Sequence, residues 1–265
     1  MSTIASPTAP VVDHLQRFLR LAGPIAWDRD ELASCVVDAE LARILHVAAM
    51  VEADTDITAR QATALGLTAA PDLAAFLPVW ATEEAEHGRA LRALLAGRPY
   101  RVPLPPPPAI SRRRRLLAGV PLGALHHLPQ TELVLCALGA AGEHSALVTY
   151  TELAKRIDDP VAQRLLRAVI RQEGRHLDFF LAAAQRRATS MSRVGGRLAR
   201  RAMVAIWQPA GVPSLGRDVW RDVFSAWLDD DEILARFEGM DRVVDAIPHL
   251  AGLGLMRGFL GRPAR

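Results

Sequence analysis

The chain has 265 residues, half of them hydrophobic and led by Ala and Leu, enough to bury a sizeable core without covalent staples. Its two cysteines, Cys35 and Cys136, lie far apart in no ligand spacing. That excludes a four-cysteine metal knot and points to reducing, cytoplasmic surroundings. The net charge of +3 rests on arginine, with Lys155 the sole lysine; it permits an acidic partner, and no nucleic-acid-binding motif accompanies it.

Residues 1–10 read as a flexible tail without the charged and apolar regions of a signal peptide, and residues 11–265 as one domain. A helix is expected over residues 12–22, closed by Gly23 and Pro24. Asp28 or Asp30 then caps a long helix reaching about Thr55. A polar connection with Gly66 follows, and Pro71 takes the first turn of a helix that runs to Gly97. Pro103 to Pro108 must be extended; Ser111, four arginines and an apolar segment come next. Another helix runs from Gln130 to Arg156, and Asp158, Asp159 and Pro160 turn the chain into the next, over residues 160–188. Three more are expected near 192–207, 217–228 and 230–245, the first two separated by Pro209, Gly211 and Pro213. No segment alternates with period two, so the fold class is all-α, and no apolar run is long enough for a transmembrane segment.

Two short words carry the chemistry: Glu84-Ala85-Glu86-His87 and Glu173-Gly174-Arg175-His176. Each is a Glu-x-x-His step on an expected helix, where three residues nearly complete one turn and bring carboxylate and imidazole to one side. Helical phase tests whether they face the core. Leu41, Leu45, Ala48 and Glu52 form one stripe; Phe76, Leu77, Trp80, Glu84, His87 and Leu91 form a second. Cys136, Ala140, Glu143, Leu147 and Tyr150 form a third, and Leu166, Val169, Glu173, His176 and Phe180 a fourth. Glu83 and Glu86 are rotated away and read as solvent residues; Glu40 lies off its stripe, and Glu152 is about half a turn out of phase with Glu143. Four carboxylates and two imidazoles on apolar faces are costly to bury together unless cations neutralise them. Glu52, Glu84, His87, Glu143, Glu173 and His176 are therefore the expected ligands of two metal ions, iron or manganese, in a four-helix bundle.

The residues from Trp80 to Gly88 resemble the Trp-x-x-Glu-Glu-x-x-His-Gly motif of the soluble acyl-(acyl carrier protein) desaturases. Glu143, Asp158 to Pro160 and Arg171 to His176 resemble that family's second half, and Trp207 to Pro213 are a weaker echo downstream. The likeness spans roughly residues 30–210. It implies a ferritin-like fold with additional terminal helices, and a di-iron site with Trp80 and Gln172 beside the ligands. It also implies O2-dependent desaturation of a carrier-bound acyl chain, a ferredoxin-like electron donor and a homodimer. Two positions depart from the pattern: Gln172 replaces an Asp before the second motif's Glu, and Ala146 replaces a Thr one turn after Glu143.

These departures leave hydroxylation, N-oxygenation or oxidation of a small or carrier-bound metabolite open beside desaturation. An iron-storage or non-catalytic bundle is a further alternative. A radical-bearing reductase subunit is disfavoured because Leu91 stands where that family has Tyr. Arg112, Arg113, Arg114 and Arg115 are a candidate docking patch for an acidic acyl carrier protein and its phosphate, or a solvated loop.

Overall fold

The computed structural model describes residues 9–64, 70–96 and 129–261. Within them lie twelve helices and no strand: α1 (Ala9–Leu21), α2 (Arg29–Ser34), α3 (Ala39–Ala64), α4 (Pro71–Leu94), α5 (Pro129–Arg156), α6 (Pro160–Thr189), α7 (Arg193–Ile206), α8 (Val212–Leu215), α9 (Arg217–Val223), α10 (Ser225–Leu228), α11 (Asp231–Asp245) and α12 (Leu255–Leu260). The described residues are thus all-α. Most of the expected tail, the connection with Gly66, the segment Pro103 to Pro108 and the arginines Arg112 to Arg115 lie outside the described residues.

Local chemistry sets the helix starts. Asp28 accepts from the backbone N–H groups of Asp30 and Glu31, Asp159 from Val161 and Ala162, and Asp230 from Glu232 and Ile233. The single helix expected from Asp28 to Thr55 is instead two. Cys35 closes α2 in an extended conformation, and the Asp38 carboxylate takes the Leu41 N–H 2.9 Å away, starting α3 afresh. The helix expected over 217–228 likewise breaks at Phe224, and α8 and α12 were not anticipated.

Four long helices build the core as two antiparallel hairpins, α3 with α4 and α5 with α6. A buried arginine fixes their register. Arg187 on α6 holds Asp72 of α4 in two hydrogen bonds, at 2.9 and 3.0 Å, and Glu132 of α5 at 2.7 Å. Burial alone would raise the Asp72 pKa, but Arg187 and Arg186 hold it below the usual carboxylate range. Since α6 runs antiparallel to both α4 and α5, those two point the same way, and residues 97–128 join them.

Beside this triad an aromatic cluster fills the space between α1, α4 and α6. Phe76 stacks on Phe179 with centroids 3.8 Å apart, and Phe180 stands perpendicular to Trp80 at 5.3 Å. The packing between α3 and α5 is much sparser than within either hairpin. Residues 207–214 cover part of that gap. Gly211 there adopts φ +87°, and a side chain on it would also meet Val47 of α3 at 3.1 Å.

Two glycines of α5 differ in what surrounds them. A Cβ on Gly139 would stand 2.6 Å from the Phe180 ring, which is locked between Phe76 and Trp80, whereas a Cβ on Gly142 meets nothing within 4 Å. Gly139→Ala is expected to lower stability by about 1–3 kcal/mol. Gly142→Ala is expected to raise it by about 0.5–1 kcal/mol through helix propensity alone. Thermal denaturation of the two variants checks the opposite signs.

Candidate metal centre

Halfway along the four long helices, the six sequence-predicted ligands meet. Glu52 comes from α3, Glu84 and His87 from α4, Glu143 from α5, and Glu173 and His176 from α6; all six are buried. Their ligand atoms form two overlapping quartets, each within 4.8 Å throughout: Glu52, Glu84, His87 and Glu173, and Glu84, Glu143, Glu173 and His176. Glu84 and Glu173 belong to both. His87 Nδ1 faces Glu173 at 3.1 Å and Glu84 at 3.7 Å. His176 Nδ1 faces Glu84 at 2.9 Å and Glu173 at 3.3 Å. Gly88, next to His87, lets α3 come close, since a Cβ there would stand 3.2 Å from the Glu52 Cβ.

The outer side of each histidine is held by the other hairpin's motif. His176 Nε2 donates to Glu83 at 2.8 Å, and His87 Nε2 to the Gln172 carbonyl oxygen at 2.7 Å. Glu83 and Gln172 are the residues immediately before Glu84 and Glu173, so the bonds are reciprocal. The Gln172 amide nitrogen is committed to Gly23 O at 2.6 Å and Glu83 at 3.2 Å, which leaves its oxygen to accept from His87. Both imidazoles are therefore protonated on Nε2 and turn Nδ1 inward. The two flanking carboxylates are bonded as well: Trp80 Nε1 donates to Glu143 at 2.9 Å, and the Tyr150 hydroxyl donates to Glu52.

Glu83 corrects an expectation. It is buried and not a solvent residue, because α4 packs on α1, α2, α3 and α6 and hides more than one face. Burial would raise its pKa, but His176, the Gly23 N–H and Arg175 keep it below the ordinary range. Glu152 is also buried, where Lys155, Arg156 and Arg236 surround it. Glu86 is half-buried, accepting from Trp27 at 2.6 Å and Arg89. Glu40 is exposed as expected.

Without cations the cluster is electrostatically frustrated. Burial and then the neighbouring charges of Glu84 and Glu173 push Glu52 well up; burial and Glu173 do the same to Glu143. Glu84 is pushed up to about 8 by burial, Glu173 and Glu143. Burial would raise Glu173 too, but His87 and His176 hold it down. Burial would lower both histidines, yet the surrounding carboxylates raise them. Glu52 Oε2, Glu84 Oε1, His87 Nδ1 and Glu173 Oε1, all from one quartet, are buried with no hydrogen-bond partner. Orphaned lone pairs converging on one point fit a cation. The cysteines take no part: both are buried outside the quartets, Cys136 pushed up to about 12 and Cys35 to about 11, largely by burial.

A cavity of about 620 Å³ opens from the carboxylates toward the surface between α3 and α5. Glu52, Glu84 and Glu143 lie at its buried end; Trp80, Leu138, Ala146 and Phe180 are among its mostly apolar walls. The exposed residues Asp54, Gln208, Ala210 and Pro213 form its rim.

No family model, no curated protein and no solved structure matches the chain. What the described residues define is an all-α protein with a buried Glu/His cluster within reach of two shared cations.

Metal analysis is expected to give about two ions per chain. Glu84→Ala and Glu173→Ala each take a carboxylate from both quartets and should lose most of both ions. Glu52→Ala and Glu143→Ala each disturb one quartet and should retain about one ion. The pH dependence separates the two states of loading. The raised pKa values of Glu84, His87 and His176 stabilise the metal-free fold at low pH, and that contribution is lost as pH rises through about 8, the value for Glu84. The melting temperature of metal-free protein should therefore fall on going alkaline. Added metal displaces the protons and should raise the melting temperature most at the alkaline end.

Proposed function

We propose that the chain is an O2-dependent di-iron oxidoreductase acting on an aliphatic acyl chain, with the four long helices as a ferritin-like core. One observation carries the reading: two ligand quartets share Glu84 and Glu173, and three of their carboxylates, Glu52, Glu84 and Glu143, line a mostly apolar cavity. Glu52, Glu84, His87 and Glu173 would hold one ion, and Glu84, Glu143, Glu173 and His176 the other. Carboxylates with imidazole suit iron, and manganese equally by ligand type. Bound iron would supply the oxidising chemistry with O2 that acid–base side chains lack, since an unactivated C–H bond has no acidic proton.

The chain's own residues do the rest. Glu83 and Gln172 align the imidazoles, and Trp80 and Tyr150 hold Glu143 and Glu52 in place. The apolar walls exclude water and lay an alkyl chain alongside the carboxylates. Desaturation of an acyl group bound to acyl carrier protein is what the resemblance of the two motifs implies, as are a ferredoxin-like electron donor and a homodimer; a cytoplasmic setting is what the two free cysteines suggest.

A second reading, hydroxylation in place of desaturation, is favoured by the surroundings of Glu143. Ala146 puts a methyl group on the cavity wall where the resembling family has a hydroxyl. The nearby Ser145 and Thr149 hydroxyls are spent on the carbonyls of Ala141 and Ser145, each at 2.9 Å. Iron storage is less well supported, because it has no use for an apolar cavity at the ligands.

Reduced, iron-loaded protein given acyl substrates and O2 should yield product short of two hydrogens, by mass spectrometry. Gain of one oxygen atom would support the second reading, and no O2-dependent product with any acyl chain would sink both. Ala146→Phe should fill the cavity and cut turnover by about tenfold or more while leaving the metal content near that of the wild type.

A further inference from the structure

The outward face of α7 is unlike the rest of the surface. Seven large hydrophobic residues are exposed among those described, and four belong to this one helix or its end: Val194 at 64%, Leu198 at 48%, Val204 at 61% and Ile206 at 55%. The helix carries Arg193, Arg197, Arg200 and Arg201 and no acidic residue. Arg200 is anchored to Ala251 O and Gly252 O, while Arg193, Arg197 and Arg201 form no ion pair among the described residues. The opposite side of α7 is made of small buried residues: Gly195, Gly196 and Ala199, with Met203. A side chain on Gly196 would meet His249 at 2.5 Å, so close packing fixes which face is turned outward.

The end of this helix leads straight to the cavity. Ile206 closes α7, and the next residues, Trp207, Gln208, Pro209 and Ala210, line the cavity or its rim. Whatever sits on α7 is therefore beside the opening through which a substrate would pass.

From these observations we infer that α7 seats the protein on an anionic lipid surface, with its aliphatic side chains in the acyl boundary and its arginines on the headgroups. Exposed aliphatic side chains gain by entering the acyl boundary, and arginines beside them gain by reaching anionic headgroups. An acidic carrier protein would be satisfied by the arginines alone and leaves the four exposed aliphatic residues unexplained. A second copy of the chain is disfavoured, because a twofold contact through α7 would bring two unpaired sets of arginines together. The inference rests on the proposed function for its meaning: the acyl chains acted upon would be drawn from, or held at, a membrane.

Co-sedimentation of the full chain with vesicles tests it. Vesicles of phosphatidylcholine mixed with phosphatidylglycerol should bind the protein, and vesicles of phosphatidylcholine alone should bind it at least tenfold more weakly. Two variants separate the contributions: Arg193→Glu with Arg197→Glu and Arg201→Glu, and Val194→Ser with Leu198→Ser. Each should weaken binding by about tenfold or more, with helical content and metal content unchanged. Failure of the wild type to bind anionic vesicles overturns the inference. So does an apolar variant that binds as well as the wild type, which would mark the face as purely electrostatic. Binding of acyl carrier protein that only the arginine variant abolishes, without vesicle binding, would assign the face to that carrier instead. Absence of bound metal would overturn the proposed function and leave the vesicle result standing.

Discussion

Four carboxylates and two imidazoles are buried together in the middle of four long helices, and the surrounding structure is organised around keeping them there. Like charges so close in a low dielectric cannot all ionise, so the cluster takes up either protons or cations. Burial and mutual repulsion push the carboxyls of Glu52, Glu84 and Glu143 up, which favours the first solution in the bare protein. The proposed metal pair is the second. The framework holding the cluster must be rigid, and its parts are close by. Arg187 ties three of the four long helices together, and the aromatic cluster around Phe76 packs against His176.

Hydrogen bonds from outside the cluster orient four of its six side chains. Glu143 and Glu52 each receive one donor, from Trp80 and Tyr150, and each histidine is aligned across the hairpins. The two alignments differ in charge: His176 meets a carboxylate and His87 an amide. Glu83 carries its charge without cost to the cluster because Arg175 lies 3.1 Å away and the Gly23 N–H donates at 2.9 Å. Arg175 also bonds Leu21 O, so the turn after α1 is part of the support.

The six clustered side chains were legible because each lies in phase with an apolar stripe, and phase survives tertiary packing in long helices. The places of Trp80 and Gln172 beside the cluster were legible through motif likeness, and both hydrogen-bond its members, Glu143 and His87. Glu83 was misread, and the burial of Glu152 went unnoticed, for one reason. A stripe test assigns one buried face per helix, whereas α4 and α5 are enclosed on several sides and accept charged residues wherever a partner arrives from elsewhere. Glu152 takes Arg236 from α11, a contact no local pattern encodes. The break between α2 and α3 turns on one carboxylate, Asp38, competing with helix continuation. The cavity had no sequence signal at all, since it is a gap between α3 and α5 closed in by residues 207–214, a property of tertiary arrangement alone.

The crossed alignment of the histidines makes the two hairpins depend on one another. Glu83 is useless to its own hairpin's His87, and Gln172 to His176; each serves the opposite side. A lone helical hairpin of this kind would leave its imidazole free to swing. Neither hairpin therefore holds its own imidazole: each histidine keeps its aim only while the two hairpins stay docked, so separating them would unfasten both at once.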